Sequence, residues 1–319
     1  MNAAGRLAAF GAGLAVAFTA AYVTAAAVVP DTAVTATQHV GAKPAADHSA
    51  PTAPISPLSA DPPGLSLAQD GYTLNAVRAP GAPNDRATLS FTIAGPSGTP
   101  LLDYATVHDK QLHLIIVRSD GQHFAHVHPA LDQATGIWST PWMWKAAGTY
   151  RVFADFQPAQ PGSAKLTLTR TVDVAGELAP SPPLTTRTSD EIAGYTVELD
   201  GALTAGVAKQ LTAKVTRDGE PVTTLQPYLG AYGHLVALRE GDLAYLHVHP
   251  EGAEPVGNRG GPAVSFAATA PTAGRYLLYL DFQVDDTVHT ATFVVDAARG
   301  DIDQPVTEPS RDAGHAGGH

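Results

Sequence analysis

LHLIIVRSDGQHFAHVHP, residues Leu112 to Pro129, places histidines at 113, 126 and 128 around a turn, and the chain writes it again as GHLVALREGDLAYLHVHP, Gly233 to Pro250. In the first copy two apolar runs flank Asp120-Gly121, and Asp-Gly between such runs is the strongest short-range sign of a hairpin with a two-residue type I′ turn. With that turn Ser119 faces Gln122 and His113 lies opposite His128. His126, two residues back, shares their face by the period-2 alternation of a strand. Paired Cβ atoms about 4.5–5.5 Å apart leave the three imidazoles within reach of one ion held at about 2.0–2.1 Å per nitrogen. The same register in the second copy, with Gly241-Asp242 at the turn, pairs His234 with His249 and sets His247 beside them. Two separate three-histidine sites are thus expected, one in each copy.

The repetition runs beyond the hairpins. Tyr72-Thr73 matches Tyr195-Thr196, Pro100 matches Pro221, and Arg118 matches Arg239. Ala147-Gly148 matches Ala273-Gly274, Tyr150 matches Tyr276, and Asp155-Phe156-Gln157 matches Asp281-Phe282-Gln283. A repeat of about one domain in length is a tandem duplication and no solenoid. Short alternating runs between Gly, Pro, Asn and Asp are of β-sandwich type, with first-half strands expected at 72–78, 87–93, 111–118, 124–128, 149–156 and 165–174. The fold expected is all-β: two tandem immunoglobulin-like β-sandwich domains, at 65–176 and 187–297, joined by a Pro-rich linker at 177–186.

Ala-Gly-Thr-Tyr before Val152, Ala154 and Phe156 has the form of the tyrosine corner that opens strand F of such sandwiches. Those alternate residues then face the core and leave Asp155 on the outer face. The His113 strand is the natural strand C beside it, so Asp155 joins the first candidate set and Asp281 the second. His289 follows Asp281 on the next strand and is a further candidate ligand. Its first-half counterpart is Leu168 in the hand alignment. His108 and His123 lack counterparts and read as loop-surface residues. Ile115, Val117 and Phe124, matched by Val236, Leu238 and Tyr245, put apolar side chains on that same outer face, which points to a cover over it: the other domain or a partner protein.

Composition narrows the chemistry. The chain has 319 residues, 30 glycines, 26 prolines and a formal charge of −11, which argues against nucleic acid as a partner. It has no cysteine, so disulfides, thiolate nucleophiles, iron–sulfur clusters and blue-copper centres are excluded. Any transition-metal site must use nitrogen and oxygen. Three imidazoles and a carboxylate suit Cu(II) first and Zn(II) second, with the Asp either a ligand or the hydrogen-bond partner that orients one His. The alternative is a structural His–Asp network in a protein-interaction module. No nucleophile elbow, His-Glu-x-x-His, phosphate loop or dinucleotide glycine pattern is present, and a non-enzyme is expected.

Leu7 to Val29 is an uncharged run of 23 residues, long enough to span a bilayer as an N-terminal transmembrane helix. Val23-Thr24-Ala25 keeps open the alternative of a cleaved signal and a secreted chain. Either way residues 1–30 send the rest out of the cytoplasm, through a Pro- and Ala-rich stalk at 31–64, with a polar His-containing tail at 298–319.

HLIIVRSDGQHFAHVHP, AGTYRVFADFQ and YLGAYGHLVALREGDLAYLHVHPE resemble actinobacterial membrane-anchored or secreted proteins with tandem YtkA-like, CopC-like sandwich domains. The resemblance covers about residues 65 to 297. It implies an immunoglobulin-like fold outside the membrane and a role in binding or delivering copper or another heavy metal. Site residues carry over to His113, His126, His128, His234, His247 and His249, and less directly to Asp155 and Asp281. No domain here begins with the histidine common at the N-terminus of CopC-type sites.

Overall fold

The computed structural model describes residues 63–182, 185–246, 248–251, 255 and 257–300. The expected anchor, nearly all of the stalk, the 301–319 tail and His247 lie outside the described residues. Among the described residues no helix is long and apolar enough to cross a membrane, and the elements are strands throughout.

The first half builds β1 (Ala68–Gln69), β2 (Tyr72–Leu74), β3 (Ala87–Ala94), β4 (Leu112–Arg118), β5 (Ala125–Val127), β6 (Ala130–Asp132), β7 (Ile137–Trp142), β8 (Gly148–Phe156) and β9 (Leu166–Val174). They form two sheets, β1-β2-β3-β7-β6 and β5-β4-β8-β9. Taking β2, β3, β4, β5, β7, β8 and β9 as strands A, B, C, C′, E, F and G gives the layer division of an immunoglobulin-like sandwich. The core between the sheets holds Leu74, Leu89, Ile93, Leu114, Ile116, Val152 and Trp144. Strands β6 and β7 were not expected from the pattern. Polar residues and Pro141, which pairs with Thr88, interrupt the alternation there.

The second half builds β10 (Ser189–Ile192), β11 (Tyr195–Asp200), β12 (Leu203–Thr204), β13 (Ala208–Arg217), β14 (Glu220–Pro221), β15 (His234–Arg239), β16 (Tyr245–Leu246), β17 (Val248–Glu251), β18 (Ala263–Thr269), β19 (Gly274–Val284) and β20 (Thr287–Ala298). Its sheets are β10-β11-β13-β18-β17, with β14 on β13, and β12-β20-β19-β15-β16. Both expected tyrosine corners are present: Tyr150 Oη donates to Ala146 O at 2.9 Å and Tyr276 Oη to Thr272 O at 2.9 Å.

The hairpin register is the expected one and the turn is different. Leu114 pairs with Val127, Ile115 with His126 and Ile116 with Ala125, the frame that sets His113 against His128. The connection, however, is the three-residue loop Ser119-Asp120-Gly121, because Arg118 N donates to Gln122 O and Gly121 N to Arg118 O. Gly121 alone of the Asp-Gly pair is left-handed, at φ 80°, and His123, at φ 55°, is the extra residue that restores the frame. Arg118 clamps the loop through Asp120, at 2.9 and 2.7 Å.

Both domains belong to one compact unit, and their C-strand sheets pack outer face to outer face. Ile115, Val117 and Phe153 join Val236, Leu238, Tyr245, Leu277 and Tyr279 in a third buried cluster, distinct from the two sandwich cores. This is why β4 is buried along its whole length while β3 alternates. Phe124 stacks on Tyr279 at 4.0 Å, and Tyr279 Oη donates to Gly121 O at 2.7 Å. The apolar outer face is therefore covered by the other domain.

The loop tips allow a controlled comparison. A Cβ on Gly121 would collide with Leu277 Cδ1, whereas one on Gly241, at φ 96°, meets nothing within 4 Å. Gly241→Ala is expected to cost about 1 kcal/mol, the left-handed backbone alone. Gly121→Ala should cost about 2–4 kcal/mol because overpacking of the interface adds to it. Denaturant midpoints of the two variants check the difference.

Candidate metal centre between the domains

His113 on β4 is 2% exposed. Its Nε2 lies 3.1 Å from the carbonyl oxygen of Val107. A carbonyl only accepts, so Nε2 carries the proton and Nδ1 presents a lone pair. Across the hairpin, His126 Nδ1 lies 2.8 Å from Asp281 Oδ2 of the other domain. In the neutral ring Nδ1–H donates to that carboxylate and the lone pair stands on Nε2, the orientation device found behind metal-bound imidazoles. Thr290 Oγ1 donates to the second oxygen, Asp281 Oδ1, at 2.6 Å.

These two nitrogens face each other: His113 Nδ1 and His126 Nε2 are 3.1 Å apart, and His128 Nε2 is 3.3 Å from the same His113 Nδ1. A proton on His128 can satisfy one lone pair and leaves the other without a donor. A tetrahedral ion with bonds of about 2.0–2.1 Å sets its ligands about 3.3–3.4 Å apart, close to the separations here. His234 closes the set from the second domain. Its ring stacks on His113 at 5.4 Å with 4° between planes and lies 4.9 Å from His126. One ring nitrogen from each of His113, His126 and His234 falls within 4.8 Å of the others.

Burial favours the neutral form, the one that ligates, in His113, His128 and His234. Desolvation, reinforced by the neighbouring His126 ring, lowers His113 to about 4. Desolvation, with His126 and His113 adding, lowers His128 to about 3. The same causes hold His234 well below the ordinary value.

The candidates expected from sequence divide. Among the described residues His113, His126, His128 and Asp281 meet at one place with His234, in a cluster at the domain interface that draws on both copies. Asp155 is opposite His113 in the β4–β8 register, as expected from strand order. Its oxygens are engaged by Lys165 Nζ at 2.8 Å and Thr167 Oγ1 at 3.0 Å. His249 does not pair with His234. The chain changes sheets between Leu246 and Val248, and His249 pairs with Ala267 on β18, where it is exposed. His289 stands apart from the cluster: it pairs with Phe282 and packs on Tyr195 and Phe282, on the opposite face of the β19–β20 sheet from Asp281. The strand registers further make Leu166, and not Leu168, its counterpart.

Two neighbours escaped the sequence reading. His108, expected on a loop surface, sits edge-on to His113 at 6.2 Å and to His234 at 5.8 Å. It occupies a two-residue turn bridged by Val107 and Lys110, with φ 50° at His108 and 62° at Asp109. Without glycine, that turn leaves little trace in the text. Lys165 could have been found by asking what stands across from a buried carboxylate. In the second domain its place is held by Val288, which is why Asp281 is open to His126.

Depressed imidazoles make acid sensitivity a test of this burial. An unfolded His titrates near about 6.5, so between that pH and the folded values the unfolded chain binds more protons. The stability of the metal-free chain should be full above about pH 6.5 and fall steadily as the pH drops toward 4. Urea midpoints at pH 7.5 and 5.0 should separate for the parent and draw together for His113→Gln plus His128→Gln.

No curated protein matches the chain. Matching solved structures include the fibronectin(III)-like modules of Clostridium thermocellum CbhA, at 12% identity over 77% of this chain and 100% of that one, TM-score 0.19. The D0-D1 domain of Intimin matches at 14% identity over 71% of this chain and 97% of that one, TM-score 0.21. At these scores the likeness carries no weight, and the sandwich assignment rests on the strand pairing. The family model for a domain of unknown function (DUF8832) matches residues 67–176 and again 190–299, and the chain belongs to that family as a tandem pair.

Proposed function

We propose that the two domains together hold one divalent metal ion at their interface, Cu(II) first and Zn(II) second, as a binding or handling protein that catalyses no reaction. The observation that carries this reading is the facing pair His113 Nδ1 and His126 Nε2, 3.1 Å apart with their outer nitrogens directed at Val107 O and Asp281. In the neutral rings these are two lone pairs face to face, and a cation between them satisfies both. His128 and His234 supply further nitrogen, and Asp281 orients His126 and offsets charge. All-nitrogen imidazole sets favour Cu(II) over Zn(II) by the affinity order.

Handling outside the cytoplasm, with the Leu7 to Val29 run as tether, is part of the proposal. The resemblance of the hairpins to YtkA-like and CopC-like domains points the same way. A purely structural role for the His–Asp set is the competing reading.

Titration of the full chain with CuCl₂ and ZnCl₂, followed by calorimetry, separates them. One ion per chain is expected. His113→Ala should abolish stoichiometric binding, and Asp281→Asn should weaken it about 10–100-fold. His289→Ala and His249→Ala should each still bind one ion. No uptake by the parent would leave the structural reading, and two ions per chain would restore separate sites.

A further inference from the structure

The nitrogens of His113 and His126 converge in a buried place beside the half-buried His128. His113 is 2% exposed and the His126 side chain 1%. The apolar interface cluster lies on one side, and each sandwich core fills the space behind its own sheet. An ion held there needs a way in.

His108 offers one. It is half-buried. One side of its ring meets His113 and His234. It also lines a cleft of about 330 Å³, together with Tyr232, Pro250, Glu251, Ala263 and Ser265. Glu251 is exposed and supplies carboxylate oxygen to this cleft, where its Oε2 accepts from Gln210 Nε2 at 2.6 Å. The cleft thus offers oxygen donors outside, an imidazole between, and the buried cluster within.

The geometry points to this cleft as the port through which the metal ion reaches and leaves the interface cluster, with His108 as the transfer ligand that passes it from Glu251 to His234 and His113. The inference rests on the metal-binding reading above. Two features make the port sided. The matching turn of the second domain, bridged by Tyr228 and Ala231, carries Leu229-Gly230 and has no imidazole. The first-domain turn also supplies the Val107 carbonyl that holds His113 Nε2, so displacement of His108 is mechanically linked to the orientation of a ligand. Gly230 abuts the His108 turn: a Cβ built on it comes 4.0 Å from His108 Cα.

Stopped-flow mixing of the full chain with Cu(II), and release from the loaded chain into excess EDTA, test the port through two independent variants. His108→Ala removes the transfer ligand, and Ala263→Trp narrows the cleft from its exposed wall without touching an imidazole. Both should slow uptake and release together by about tenfold or more while the equilibrium dissociation constant stays within about threefold of the parent. Unchanged rates in both variants would overturn the port. So would His108→Ala that releases faster and binds more weakly, because His108 would then be a resident ligand. A parent chain that takes up no Cu(II) would instead remove the metal-binding reading itself.

Discussion

The apolar outer faces of two β-sheets must be hidden from water, and each hides the other. Ile115, Val117 and Phe153 on one side and Val236, Leu238 and Leu277 on the other are buried only because the domains pack together, and full burial of each such side chain contributes about 1.5–3 kcal/mol. Histidines lie on the same faces, so the packing that hides the apolar residues also desolvates the imidazoles. A charged imidazolium loses solvation there, which favours the neutral form of His113, His128 and His234. Stability and ligand preparation come from one contact.

Duplication explains the ingredients, and divergence explains why they yield one centre. Each copy offers a strand-C histidine opposite a strand-F aspartate, His113 with Asp155 and His234 with Asp281. Lys165 occupies Asp155, while Val288 in the equivalent place leaves Asp281 open to His126 from across the interface. Likewise His108 and Leu229 occupy equivalent turns and only the first brings an imidazole to the cluster. The carboxylate that orients the first domain's histidine thus belongs to the second domain, and neither copy alone contains the site.

Much of this was legible in the text. Period-2 alternation gave the sandwich strands, and the Asp-Gly signal gave a hairpin frame that survives even though the turn itself is one residue longer. The reason is that the frame is held by apolar alternation across Leu114, Ile116, Ala125 and Val127, and a left-handed His123 absorbs the difference. Ala-Gly-Thr-Tyr gave the tyrosine corner and hence the position of Asp155. The apolar outer face pointed to a cover, and the cover is the other domain. What was not legible lies in relations between halves. His249 was assigned by copying the first hairpin, yet Val248 onward crosses to the opposite sheet. The partner of His126 is 155 residues away, beyond any local pattern. Strand β7 was hidden by Pro141, which breaks the alternation while still pairing with Thr88.

The central claim is that one ion sits between the domains on histidines from both. Anomalous scattering from crystals of the zinc- or copper-loaded chain, collected on either side of the metal edge, tests it directly. The account predicts one difference peak at the convergence of His113 Nδ1 and His126 Nε2, with His128 or His234 completing the shell. A peak confined to residues of a single domain, a pair of peaks with one in each, or none at the interface would contradict it.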